Sequence, residues 1–357
     1  MKRVELLRKK AFDGKGFDGF LIANEANMLY FAGFPGAACL LLPRDGENML
    51  YVYGVNYEQA KAEGKGFCVE LVGRDENLMA KVAVQAVEFG IKKLAFDSLT
   101  VESYRGLARR LRGKATLKPM GKLVWELRKV KDPGEIELMR KAGELTCEGM
   151  KAAYEAVRPG VREFEVAAEI EYAMRRKGSW GTAFETIVAS GFRSAFPHGG
   201  CTDKQIREGE LVVVDIGACY RYYRSDMTRT LVAGKPSEKQ ERLYEIVKMA
   251  QQKAVQAVKA KAKARDIDTI ARKIIEEAGY GANFVHGLGH GVGLEVHEPP
   301  VLSQQSRDRL AAGNVITVEP GIYIVGFGGI RIEDTVLVRE HGVEKFTDGF
   351  YTLEALT

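Results

Sequence analysis

Residues 285–300 read VHGLGHGVGLEVHEPP and carry three of the chain's five histidines, His286, His290 and His297. Glycines alternate through it at Gly287, Gly289, Gly291 and Gly293. Each costs a helix up to about 1 kcal/mol relative to alanine. The stretch is therefore not an ordinary helix. His286 and His290 do not form the pair of zinc ligands on one helical face seen in zincins. The pattern predicts an extended segment whose backbone must approach something closely. A glycine-rich turn with structural histidines would explain any one histidine alone. The acidic residues on either side argue for more.

Working outward, the chain from about residue 160 reads as a partial duplication. EGELVVVDIG at 208–217 resembles AGNVITVEPG at 312–321: Gly209 matches Gly313, Asp215 matches Glu319, and Gly217 matches Gly321. DMTRTLV at 226–232 then resembles EDTVLV at 333–338. Each half has a strand ending in a carboxylate and a second strand carrying another. A helical pattern precedes each, Glu163–Lys177 in one half and Ile267–Ala278 in the other. His198, in FPHGG at 196–200, stands upstream of the first pair much as His297 stands upstream of the second.

A pseudo-twofold between such halves would bring Asp215 and Asp226 to face Glu319 and Glu333. Four carboxylates cannot share one site as bare anions, because mutual repulsion raises their pKa values until some protonate. A pair of cations resolves this. Carboxylate and imidazole donors without cysteine suit Mn, Co, Fe or Zn, towards the harder end. His290 is the favoured nitrogen donor to complete the set. Two such ions about 3.5–4 Å apart would hold a bridging water whose pKa falls to about 7, giving a hydroxide nucleophile at neutral pH.

Asp215 and Asp226 with ten residues between them, HGLGHGVG at 286–293, EPG at 319–321 and RIED at 331–334 together resemble the pita-bread metallopeptidases. That family includes methionine aminopeptidase, aminopeptidase P and the Xaa-Pro dipeptidases (prolidases). The resemblance runs from about Lys129 to the end. The preceding α/β region and the overall length look like the proline-specific branch, especially its archaeal prolidases. The resemblance implies an α/β N-terminal domain over 1–125 and an α+β pita-bread catalytic domain over 126–357 with an internal pseudo-twofold. It implies two divalent metal ions per subunit. Asp215 would bind one ion in bidentate fashion, Asp226 and Glu333 would bridge both, and His290 and Glu319 would bind the other. Glu319 would also shuttle a proton from the nucleophilic water to the leaving nitrogen. His198 and His297 would stay unliganded and contact the substrate or the oxyanion. Arg331 would hold a ligand carboxylate in place. His286 is expected to be structural and His341 solvated.

The activity implied is hydrolysis of the bond before proline in Xaa-Pro dipeptides, with aminopeptidase P action on longer peptides as the alternative. A creatinase-like amidinohydrolase shares the fold without metal, and a metal-free peptide-binding module is the alternative of another class. Retention of all five candidate ligands argues against both. One departure bears on specificity: typical prolidases carry an arginine shortly after the His297 position, where this chain has Glu298–Pro299–Pro300–Val301. Arg307 and Arg309 follow at a greater distance. The family also suggests a homodimer.

The N-terminal third alternates strands (17–23, 39–43, 49–53, 67–72, 93–96) with helices (56–63, 78–89, 101–111), the pattern of an α/β domain. A helix is expected over 3–17 and a loop through Asn27. No glycine fingerprint for phosphate follows the first strand. At 127–134, LRKVKDPG marks the boundary: Asp132 is placed to cap, and Pro133 to open, a helix running to Val157.

The 357 residues exceed one ordinary core and predict two domains. No apolar run is long enough for a membrane span, and MKRVELLRKK lacks the apolar core of a signal peptide. The net charge of +5 is small against 53 basic and 48 acidic side chains, and no basic cluster is interleaved with aromatics. A nucleic-acid partner is therefore not expected. The five cysteines are scattered with no C-x-x-C, which suggests reduced thiols in the cytoplasm.

Overall fold

The computed structural model describes residues 2–355. The chain divides into two compact units, Met1–Arg128 and Lys129–Thr357.

The first unit runs α1 (Lys2–Arg8), β1 (Gly19–Ile22), α2 (Glu25–Ala32), β2 (Cys39–Pro43), β3 (Met49–Tyr53), α3 (Tyr57–Glu63), β4 (Cys68–Val72), α4 (Leu78–Glu88), β5 (Lys93–Phe96), α5 (Val101–Arg110), β6 (Thr116–Pro119) and α6 (Gly121–Arg128). Its six strands form one sheet in the order β4-β3-β2-β1-β5-β6, parallel except at the two pairings of β2. Three sequence expectations need correction. The helix expected over 3–17 ends at Arg8 and widens into a π-helical turn over Lys9–Asp13. The loop expected through Asn27 is a helix from Glu25, because the Asn24 side chain accepts a hydrogen bond from the Asn27 amide and caps it. The boundary falls at 128/129 and not at 125/126, because residues 125–128 complete the last turn of α6.

The second unit opens with α7 (Pro133–Ala156) and α8 (Glu163–Arg176). Asp132 accepts from the Glu135 amide and Glu135 accepts from the Asp132 amide, each at 2.9 Å, with Pro133 as the first helical residue. This capping box fixes where α7 starts. Next come β7 (Gly181–Thr182), β8 (Ile187–Ser190), β9 (Leu211–Ile216), β10 (Ala218–Tyr220), β11 (Tyr223–Arg224) and β12 (Met227–Val232). The second half holds α9 (Glu238–Ala257), α10 (Ala264–Glu277), β13 (Gly289–Gly291), β14 (Glu298–Leu302), β15 (Val315–Val318), β16 (Gly321–Ile324), β17 (Gly328–Arg331), β18 (Asp334–Val338) and β19 (Val343–Lys345).

The duplication read from the sequence is an architectural one. The antiparallel order β8-β9-β12 recurs as β13-β15-β18, with one helix pair before each. Gly209 and Gly313, matched in the sequence, both take left-handed φ ahead of the central strand. Each half buries its helix pair against one face of its sheet. In the first, Leu145, Met150 and Tyr154 of α7 and Val166, Ile170 and Met174 of α8 cover Val212, Val214 and Ile216. In the second, Leu243 and Val247 of α9 and Ile267 and Ile275 of α10 cover Ile316, Val318, Val336 and Val338. Side chains alternate across a strand, so Asp215, Thr317 and Thr335 are left for the opposite face. That alternation puts carboxylates and hydroxyls on the faces not covered by helices.

Candidate metal centre

The two halves are braced where β12 meets the 331–335 run. The Glu333 amide donates to the Thr228 carbonyl at 3.1 Å, and the Thr228 hydroxyl donates to Glu333 Oε2 at 2.6 Å. Reciprocally, the Asp226 amide donates to Thr335 Oγ1 at 3.2 Å, and that hydroxyl donates to the Asp226 carbonyl at 2.7 Å. Thr228 and Thr335 each stand two residues after the carboxylate of their own half. Both were missed in the sequence reading, although D-x-T and E-x-T recur in the duplicated motifs. Asp226, His290 and Glu333 thereby bring one ligand atom each within 4.8 Å of one another. Glu319 joins through His290, whose Nε2 lies 3.3 Å from Glu319 Oε1 and 3.8 Å from Asp226 Oδ2. Asp215, on β9, takes a 2.6 Å hydrogen bond from Arg331 Nη2.

The alternating glycines place His290 among these acids. A Cβ on Gly289 would lie 2.2 Å from the Thr317 carbonyl oxygen, and one on Gly291 would lie 2.4 Å from that of Pro299. β13 is thus wedged between β14 and β15, as the glycine pattern predicted. The His290 amide donates to Thr317 Oγ1 at 3.1 Å, and its Nδ1 lies 3.0 Å from the Gly291 carbonyl. A carbonyl only accepts, so Nδ1 carries the proton of that bond, which aims Nε2 at the carboxylates.

Burial, followed by the charges of Glu333, Asp215 and Glu319, pushes the Asp226 carboxyl well above the usual carboxylate range. Burial and the neighbouring Glu319 and Asp215 do the same to Glu333. Burial would raise Glu319 too, but the hydrogen bond and charge of His290 hold it down at about 2. Burial opposes charge on His290, and its bond to Glu319 overcomes this, so its pKa is raised. Without a cation, the cluster therefore balances its charge with protons. Asp215 Oδ1, Asp226 Oδ1 and Glu333 Oε1 are buried with no hydrogen-bond partner among the described residues. Orphaned buried anionic oxygens are costly in a protein unless a cation takes them. Three carboxylates with one such oxygen each, beside an outward-aimed imidazole nitrogen, fit divalent ions with oxygen and nitrogen ligands.

Arg331 is a central outer residue. It is buried, and besides Asp215 it donates to Thr228 Oγ1 at 3.0 Å and to the Tyr323 hydroxyl at 2.8 Å. Tyr323 lies 2.9 Å from His286 Nε2, and His286 Nδ1 lies 2.7 Å from the Gly287 carbonyl. Nδ1 therefore donates, and the phenol donates to Nε2. Burial pushes the His286 pKa down, which suits the neutral ring this relay needs. The His297 ring centroid lies 4.3 Å from that of His290. His297, His198 and His341 are exposed. Sequence reading missed Tyr323 and the buried Lys131–Glu298 ion pair, whose 3.1 Å contact pins β14 just after His297. Arg309 donates to the Lys261 carbonyl at 3.2 Å, so its guanidinium is engaged there.

A largely buried cluster of four carboxylates and one histidine, carried on two matching half-sheets, is the architecture of a pita-bread metallopeptidase. Residues 137–340 match metallopeptidase family M24, and residues 3–130 match the creatinase/prolidase N-terminal domain. The chain is 44% identical to an Xaa-Pro dipeptidase of Pyrococcus furiosus over 97% of each sequence. An Xaa-Pro dipeptidase from Bacillus anthracis superposes with a TM-score of 0.93 at 39% identity, covering 100% of this chain and 99% of that one. An X-Pro aminopeptidase from Thermotoga maritima gives 0.87 at 36% identity, over 96% and 98%. The chain belongs to metallopeptidase family M24: it is an enzyme that binds divalent metal and acts on small peptides.

Proposed function

We propose that the chain hydrolyses the peptide bond preceding proline in Xaa-Pro dipeptides, using two divalent ions held by Asp215, Asp226, His290, Glu319 and Glu333. The observation that carries this is the convergence of Asp226, His290 and Glu333 within 4.8 Å, with one oxygen of each carboxylate orphaned. Mn, Co, Zn and Fe all suit these donors. Bound ions supply Lewis acidity and make hydroxide available near neutral pH. The protein residues do the rest. Glu319 accepts the proton of the attacking water and returns it to the proline nitrogen as the bond breaks. His198 and His297 offer ring N–H donors to the carbonyl oxygen as it gains charge. Arg331 fixes the Asp215 carboxylate. Five free cysteines suit a reducing cytoplasm. A homodimer, with neither nucleic-acid nor membrane partners, completes the reading.

Aminopeptidase P action on longer peptides is the second reading. It is favoured by the Pro299–Pro300–Val301 run, which carries no cation beside His297, and by the engagement of Arg309 elsewhere. The test is a hydrolysis screen of Xaa-Pro dipeptides and Xaa-Pro tripeptides with each metal in turn, alongside metal analysis and light scattering of the purified protein. About two ions per chain and metal-dependent cleavage before proline are expected. A protein that stays metal-free after remetallation is a binding module instead.

A further inference from the structure

His198 sits in a run, Phe196 to Thr202, that belongs to no helix or strand, so backbone ladders do not fix its position. What does restrain it converges on one fully buried side chain, Glu163, the first residue of α8. Glu163 Oε1 accepts from the Ser190 amide and the Ser190 hydroxyl, both at 2.8 Å. Its Oε2 accepts from the Thr202 amide at 3.0 Å and the Thr202 hydroxyl at 2.6 Å. One carboxylate therefore ties Ser190, at the end of β8, to Thr202, at the far end of the segment that carries His198. Arg193 adds the link to the middle. Its Nε lies 3.1 Å from Glu163 Oε2, and its Nη2 donates to the carbonyl of Gly199, the residue after His198. The start of α8 grips the same segment through its backbone, with the Glu163 amide donating to the Lys204 carbonyl and the Phe164 amide to that of Thr202.

The second half holds a comparable contact, placed one turn further along its helix. Asp268, on α10, is fully buried and accepts from Arg272 Nε and Nη2, both at 3.0 Å, and from the Leu288 amide at 3.1 Å. Arg272 also donates to the carbonyls of Phe284 at 3.0 Å and His286 at 2.8 Å. In both halves a buried acid and an arginine hold the backbone of a histidine-bearing loop.

We infer that Glu163 is the positioning residue for His198, acting through Ser190, Thr202 and Arg193 to hold that imidazole over the substrate. This rests on the substrate-contacting role proposed for His198. Glu163 must be a carboxylate: five donors converge on its two oxygens, and an amide would turn one acceptor into a donor facing donors. A reacting group displaced by about 1 Å can lose up to about 100-fold in rate.

The test uses the metal-loaded enzyme carrying Glu163→Gln, Arg193→Gln, His198→Ala and the double change Glu163→Gln/His198→Ala. Each is assayed for kcat and KM on an Xaa-Pro dipeptide, for metal content and for thermal unfolding. Glu163→Gln is expected to lower kcat/KM at least ~10-fold with metal content retained, dividing between kcat and KM as His198→Ala does. Added to His198→Ala, it is expected to cost less than ~2-fold more, because coupled residues are not additive. Multiplicative losses, or a loss that follows metal content, overturn the positioning role. If Glu163→Gln does not fold, Arg193→Gln decides by the same cycle with His198→Ala. An unchanged kcat/KM in His198→Ala overturns the role of His198 and the inference with it, while a wild-type enzyme with no cleavage before proline overturns the proposed function.

Discussion

Replacing Arg229 with methionine should destabilise the catalytic unit severely, although Arg229 reaches the candidate ligand Glu333 only at its backbone carbonyl. Arg229 and Asp334 are both fully buried, with Nη2 2.8 Å from Oδ1. Burial opposes the guanidinium charge, and Asp334 more than restores it, so the pKa of Arg229 is raised. The guanidinium also donates to the carbonyls of Thr228 at 2.9 Å, Glu333 at 2.6 Å and Gly349 at 2.8 Å. Methionine fills similar space, so little of the loss comes from a cavity. What remains is a buried Asp334 carboxylate facing only Gln251, Thr347, Tyr351 and the part-exposed Lys345, plus the carbonyls stripped of a donor. Breaking one side of a buried ion pair costs about 3–5 kcal/mol. At roughly 2–4 °C per kcal/mol for a unit of this size, the melting transition should fall by about 6–20 °C. Calorimetry of metal-loaded and chelator-treated protein measures it, read on the catalytic unit's own transition. The double change Arg229→Met/Asp334→Leu should recover most of the loss, since removing both charges of a buried pair is often near neutral. A single variant that melts within about 1 °C of wild type, on the same scale, would refute the reasoning. So would a double variant no more stable than the single.

Three further outcomes follow from the centre. Asp226→Asn should lose metal and activity together, because this carboxylate faces both His290 and Glu333; retention of both ions, measured by elemental analysis, would remove it from the ligand set. Glu319→Gln keeps an oxygen but cannot take up a proton, so kcat at saturating metal should fall about 10²–10⁴-fold with KM changed less; a change confined to KM would leave Glu319 without a shuttle role. For substrate length, kcat/KM is compared for Ala-Pro, its C-terminal amide and Ala-Pro-Ala. A dipeptidase should lose at least about tenfold on the amide, equal to about 1.4 kcal/mol, whereas equal rates on all three would favour the aminopeptidase P reading.

The acids of the centre were legible because the chain writes them twice. Asp215 and Glu319 close equivalent strands, and Asp226 and Glu333 open equivalent ones, so their meeting could be expected before any coordinates. The start of α7 was legible too, since Asp132, Pro133 and Glu135 cap locally. Local signals were also misread. Asn24 reads as a loop residue yet serves as a helix cap, and α9 has no counterpart in the sequence reading although Ser237 and Gln240 form a capping box ahead of it. Other bonds around the site leave no such mark in the sequence. Glu163 meets Thr202 across 39 residues and Lys131 meets Glu298 across 167, and only tertiary packing decides such partners.

The crossed threonines have a consequence for how the protein comes to exist. Thr228 and Glu333 are separated by 105 residues, Thr335 and Asp226 by 109, and Arg331 and Asp215 by 116. Contacts this distant along the chain are slow to form, because loop-closure entropy is lost before they repay it. As the ribosome delivers the chain, Asp215 and Asp226 emerge long before the residues that complete their surroundings. The contacts that complete the centre are therefore expected to form late in folding. A nascent or truncated chain ending before residue 331 would hold Asp215, Asp226, His290 and Glu319 but would lack both Glu333 and the arginine that fixes Asp215.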